Sequence, residues 1–174
     1  MQKTLVLGIG NVLMGDEGVG VRVVEAIDPL TLPQGVDIVE GGTGGFQLLG
    51  LFDQYDRMII VDASLDGKPP GTLSVLAPKY SAQFPPTLTA HDIGLKDLVD
   101  AAELLGQVPP LQLVTISVAE FQSVGLALTP AVLSAIPKAL EQIQALLEKP
   151  FPPSDSPVSE KRASRQKTEE PSHA

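Results

Sequence analysis

The apolar positions of the chain fall into two kinds of stretch. Residues 3–9 (KTLVLGI), 56–63 (DRMIIVDA) and 111–119 (LQLVTISVA) are nearly continuous apolar runs of strand length. Runs of that kind suit strands buried on both faces, as in a parallel sheet. Residues 36–40 add a shorter strand. Between the runs the spacing changes to that of helices. Val19, Val23, Val24 and Ile27 share one face of a helix predicted over residues 18–27 and stopped by Pro29. Residues 45–52 read as a short helix and residues 93–105 as a longer one. Asp66-Gly67 and residues 69–71 (PPG) are turn signals, so residues 71–77 are expected to run back as a ribbon strand. An irregular Pro-rich loop follows over residues 78–90.

The last periodic segment opens on Thr129-Pro130, a capping residue followed by Pro at a first helical position. Leu133, Ile136, Leu140, Ile143 and Leu147 form its stripe, and Pro137 inside it predicts a kink or a late helix start. Strands alternating with helices imply right-handed crossovers. The expected fold is a three-layer α/β architecture: a mostly parallel twisted sheet of about five strands with helices on both faces. Ligands of such sheets bind beyond the carboxyl ends of the strands. After Lys149 the pattern stops. Five prolines punctuate Ser and mixed charge with little to bury, so residues 1–149 are read as the domain and 150–174 as a disordered tail.

Charge sharpens this picture. The formal net charge is −9, and acidic and basic residues cancel within the tail, so the whole excess sits on the domain. Such a body is a poor partner for nucleic acid or an anionic membrane. It suits cations, basic peptides or plain solubility. The chain has no Cys, which removes disulfides, thiolate metal sites and a Cys nucleophile. No apolar run approaches the roughly 20 residues of a membrane span. The N-terminus lacks the pattern of a signal peptide, and a cytoplasmic monomer is the expectation.

Candidate chemistry collects where the strands end. Residues 7–20 (LGIGNVLMGDEGVG) begin like a dinucleotide-binding loop, but Gly15 falls two places late for the third glycine. Asp16 and Glu17 would also face a pyrophosphate, which is electrostatically wrong. Helix capping explains one of these acids. It leaves a second acid, Asp62 at the close of the third strand, and His91 before a later helix, all directed to the same edge. His91 is the single His outside the tail. Glu17, Asp62 and His91 together offer oxygen and imidazole donors suited to a borderline divalent metal such as nickel or zinc. Glu17 is expected on a solvent-facing loop, and Asp16 is a candidate general base. Ser64 could belong to a Ser-His-Asp arrangement, but no G-x-S-x-G elbow exists. An H-E-x-x-H zinc site is excluded for want of a second His outside the tail.

Four motifs, GIGNVLMGDEGVGVRV, VEGGTGG, IIVDA and TAHDIGL, in this order and spacing resemble the hydrogenase maturation proteases over roughly residues 1–148. The resemblance implies an endopeptidase that trims the C-terminal extension from the large subunit of a nickel–iron hydrogenase. It also implies that the metal ligands are Glu17, Asp62 and His91, the same three residues collected above. The metal would be nickel already held by the precursor and serving as a checkpoint. The partner would be that large-subunit precursor. Two departures are visible: Glu40 stands where the family often has Asp, and SVAEFQSVGLALTP lacks the family's usual Pro. Alternatives from other classes are a non-enzymatic nickel-binding chaperone and a nucleotide-binding α/β domain.

Overall fold

The computed structural model describes residues 2–79, 81–86, 88, 94–121 and 124–150. His91 and the tail beyond Pro150 lie outside the described residues.

The strands are β1 (Thr4–Ile9), β2 (Val36–Gly42), β3 (Arg57–Ser64), β4 (Leu73–Leu76) and β5 (Leu111–Ser117). The helices are α1 (Val19–Glu25), α2 (Leu49–Gln54), α3 (Leu95–Leu104), α4 (Pro130–Leu133) and α5 (Ile136–Glu148). They make one five-stranded sheet in the order β2-β1-β3-β5-β4, parallel except for β4. This is the α/β architecture that the alternating pattern predicts. The three continuous runs occupy the middle of the sheet, where both faces are covered.

The pleat divides those runs between two cores. Val6, Ile59, Val61, Val114 and Ile116 face α1 and α5, against Val23, Val24, Ala139, Ile143 and Leu146. Leu5, Leu7, Met58, Ile60 and Leu113 face the other way, against Phe52 of α2 and Leu95, Leu98 and Ala102 of α3. Successive residues of a strand point to opposite faces, which is why one run serves two layers.

One expectation changes in detail and another, the late helix start at Pro137, is met. The ribbon after β3 does run antiparallel, but β4 pairs with β5 rather than with β3. β5 occupies the β3 edge through a parallel register from Met58–Leu111 to Ser64–Ser117, so the returning strand is displaced outward. The final helical stripe is split. α4 ends at Leu133, and α5 starts at Ile136 with Pro137 in its first turn, where a missing N–H costs nothing. Leu133 consequently sits on a separate turn and is exposed, whereas Ile143 and Leu147 remain in the core.

At the amino edge, the Arg57 guanidinium is buried between β1 and the end of α5. It donates to the carbonyls of Leu147 and Lys149, each at 3.2 Å, and its Nε donates to Thr4 Oγ1. A cation on the last carbonyls of a helix satisfies acceptors that have no partner within the helix.

Candidate functional site

The order β2-β1-β3-β5 means that the chain winds one way from β1 and the other way from β3. The carboxyl ends of β1 and β3 therefore flank the switch-point crevice, the position at which open α/β sheets receive ligands. The glycine-rich loop leaves β1 at this crevice, and Asp62 lies on β3 one residue beyond the Gly8–Val61 pair.

The glycines bring backbones together. A Cβ on Gly20, in the first turn of α1, would lie 2.3 Å from the carbonyl oxygens of both Ile9 and Val61. α1 is thus pressed onto the ends of the two strands that border the crevice. Gly10 adopts φ 137°, and a Cβ there would lie 2.0 Å from the carbonyl oxygen of Glu17. Only glycine allows the loop to fold back on its own tip in this way. The tip is a 3₁₀ turn over Gly15–Gly18, packed against β3.

The turn buries both acids of the DEG motif. Asp16 is 1% exposed and Glu17 5%. Glu17 was expected on a solvent-facing loop; the close approach of Gly10 and Gly18 folds that loop inward instead. Asp62 is fully buried, and its Oδ1 accepts from the Ala63 N–H at 2.8 Å. β3 also continues two residues past Asp62, to Ser64, so this acid stands within the strand rather than at its end. Asp62 shares a strand face with Met58 and Ile60, the face covered by α2 and α3. The crevice therefore brings Glu17 and Asp62 to the same edge. A carboxylate taken out of water is costly unless a donor or a cation compensates, and oxygen donors of this kind suit a divalent metal. His91 lies outside the described residues, and among the described residues no three His, Cys, Asp or Glu side chains form a metal-holding group. Ser64 is buried at the end of β3, and its carbonyl accepts from Val118 N–H at 2.9 Å.

Asp16 is differently engaged. Its Oδ1 accepts from the Thr129 backbone N–H at 2.7 Å and its Oδ2 from the Thr129 hydroxyl at 2.8 Å. Thr129 does stand at the N-cap of α4, as its Thr-Pro sequence predicts, but its side chain makes no capping bond. Its role toward Asp16 could not be read from sequence, since a Thr-Pro pair carries no signal of a partner 113 positions away. The same segment presents Val124 and Leu126 at 84% and 65% exposure, with Leu13 exposed across the Gly125–Leu13 bond. An apolar strip thus borders the acidic turn.

These features define a doubly wound α/β protein with an acidic crevice at its switch point. The family model for "Hydrogenase maturation protease" matches residues 21–146. The Hydrogenase 2 maturation protease of Escherichia coli (strain K12) is 38% identical over 148 residues, which is 83% of this chain and 90% of that protein. HupD, a hydrogenase expression/formation protein of Rhizobium leguminosarum bv. viciae, is 37% identical over 145 residues, covering 80% and 71%. The solved structure of the hydrogenase maturating endopeptidase HybD from E. coli matches with a TM-score of 0.73 at 38% identity, over 88% of this chain and 99% of that one. A hydrogenase 2 maturation peptidase from Thaumarchaeota archaeon SCGC_AB-539-E09 matches with a TM-score of 0.65 at 30% identity, over 84% and 99%. The chain belongs to the hydrogenase maturation protease family, and its activity is that of an endopeptidase.

Proposed function

We propose that this endopeptidase removes the C-terminal extension of a nickel–iron hydrogenase large-subunit precursor once nickel has been inserted, recognising that nickel through Glu17, Asp62 and His91. The observation that carries the reading is the burial of Glu17 and Asp62 on the two sides of one switch-point crevice. In this reading nickel arrives with the substrate. Glu17 and Asp62 supply oxygen donors from a rigid sheet edge, and His91 a nitrogen. The precursor completes the ion's surroundings, which brings the scissile peptide to the crevice. Hydrolysis then breaks the peptide C–N bond, adds the water oxygen to the carbonyl carbon, and delivers protons to the departing amine. A metal ion at such a site can polarise the carbonyl.

The exposed strip of Leu13, Val124 and Leu126 supports a folded protein as substrate rather than a short peptide. No described helix is long and apolar enough to cross a membrane. The reading places the protein in the cytoplasm as a monomer, with neither nucleic acid nor a membrane as partner. Its domain comprises residues 1–149, and the tail from residue 150 is dispensable.

Mass spectrometry of a large-subunit precursor, nickel-loaded and nickel-free, after incubation with the protein tests the proposal. Only the loaded form should lose its extension. Equal cleavage of both forms would refute the nickel checkpoint.

A further inference from the structure

We infer that Asp16 and Thr129 form a positioning latch that sets Glu17 at the crevice, and that Asp16 acts through this latch rather than as a base. The inference rests on the reading of Glu17 as the residue that faces the substrate's nickel.

The loop after β1 contains backbone that only glycine adopts readily, at Gly10 with φ 137° and Gly15 with φ 56°. Glycine makes such a turn possible and also makes it conformationally loose when nothing holds it. What holds it lies between β5 and α4. Gly15 N–H donates to the Gly125 carbonyl at 2.6 Å, and Gly125 N–H donates to the Leu13 carbonyl at 2.8 Å. Thr129 then closes both oxygens of Asp16 with two donors in a fork, at 2.7 and 2.8 Å. Charge-assisted bonds of this geometry are shorter and stronger than neutral ones. They also compensate the burial of the carboxylate.

The latch reaches Glu17 from both sides of the chain. The Asp16 carbonyl accepts from Val19 N–H, so the same residue that is tied to Thr129 also starts α1. Glu17 lies between these anchors, with its own carbonyl against Gly10. The next residue, Gly18, sits so close to Val12 that a Cβ would be 2.7 Å from the Val12 Cα. Glu17 is therefore fixed by neighbours on each side, and the Asp16–Thr129 pair ties the turn to the start of α4 by side-chain chemistry.

Three variants separate this role from plain stability. Thr129→Val removes the hydroxyl donor but keeps shape and backbone N–H. Thr129→Ser keeps both donors, and Asp16→Asn replaces one acceptor by a donor facing a donor. Processing of nickel-loaded precursor should fall in turnover by on the order of 10- to 100-fold for Thr129→Val, the scale expected of a small misplacement in a site. Half-saturation by precursor should stay near that of the parent, the melting temperature of Thr129→Val should fall by only a few degrees as buried Asp16 loses one donor, and Thr129→Ser should retain turnover. Amide exchange of the segment 10–18 should accelerate in Thr129→Val while the rest of the chain is unchanged. Full turnover by Thr129→Val beside an inactive Glu17→Gln would overturn the latch and leave the reading of Glu17 standing. Normal processing by Glu17→Gln would instead refute the reading of Glu17; unchanged exchange of the segment 10–18 in Thr129→Val would then overturn the latch on its own. If Asp16→Asn fails to fold, Thr129→Val still decides.

Discussion

The two edges of the sheet use buried charge in opposite ways. At the amino edge Arg57 is buried among acceptors: two carbonyls at the end of α5 and the Thr4 hydroxyl. Close by, Asp56 accepts from Lys3 N–H at 2.7 Å, and Tyr55 donates to Asp37 at 3.0 Å. Each of these groups joins elements distant in sequence, and the return is stability. At the carboxyl edge Glu17 and Asp62 are buried on the two sides of a crevice, held there by glycines that permit close approach and by a latch on the neighbouring Asp16. Acids concentrated there weigh on the fold and serve the site. The difference teaches that removing charge at the amino edge should cost stability, and at the carboxyl edge activity.

The largest contrast comes from Glu17→Gln. It should abolish precursor processing, read as retention of the extension by mass spectrometry, while the melting temperature holds or rises, because relieving a buried charge at a functional site commonly stabilises. A marked fall in melting temperature would mean that Glu17 belongs to the scaffold. Arg57→Ala should do the reverse. It leaves the α5 carbonyls and Thr4 short of a donor, at a cost of about 2–3 kcal/mol. Calorimetry should show a drop of about 5–10 °C for a chain of this size, with turnover intact at temperatures where the variant is folded.

A chain ending at Lys149 retains both carbonyls held by Arg57 and should melt like the full protein. A chain ending at Leu146 loses them together with the core side chain of Leu147, and should melt lower than Arg57→Ala. A fall in melting temperature already at the longer truncation would show that residues past 149 pack on the domain. Smaller still is the effect at the apolar strip. Leu126→Asp should raise half-saturation by precursor several-fold, about 1 kcal/mol, without changing turnover or melting temperature. Unchanged half-saturation would move the docking surface elsewhere.

The smallest effect is a pH dependence at the amino edge. Burial, and then the hydrogen bond to Asp37 and its charge, raise the Tyr55 hydroxyl above its usual 10.0. Its neutral form is therefore favoured by folding, so the contribution is complete below pH 10 and disappears as pH rises through the folded value. Melting curves of the parent and Tyr55→Phe should converge only as the pH rises past the raised folded-state value of Tyr55. A gap that is constant with pH would assign the loss to packing alone.

Much of this protein was legible in its sequence for a local reason. Continuous runs such as 56–63 can be satisfied only by a strand covered on both faces, and the stripe of Val19, Val23 and Val24 only by a helix lying on it. The acids of the DEG turn and Asp62 were visible as carboxylates toward the carboxyl side of the sheet, where such sheets bind ligands, although Asp62 stands inside β3 rather than at its end. Pro137 marked the helix break because its ring forbids a continuous hydrogen-bond ladder. The pairing of β4 with β5 instead of β3 depends on which strand takes a free edge, a choice made between segments nearly 40 positions apart. The burial of Glu17 depends on Gly10 folding against its carbonyl. The bond from Thr129 to Asp16 could not be anticipated, because Thr129 is brought to Asp16 only when β5 and α4 are in place. Spacing along the chain encodes periodicity and turn chemistry; which donor meets which acceptor across more than a hundred residues is decided by packing.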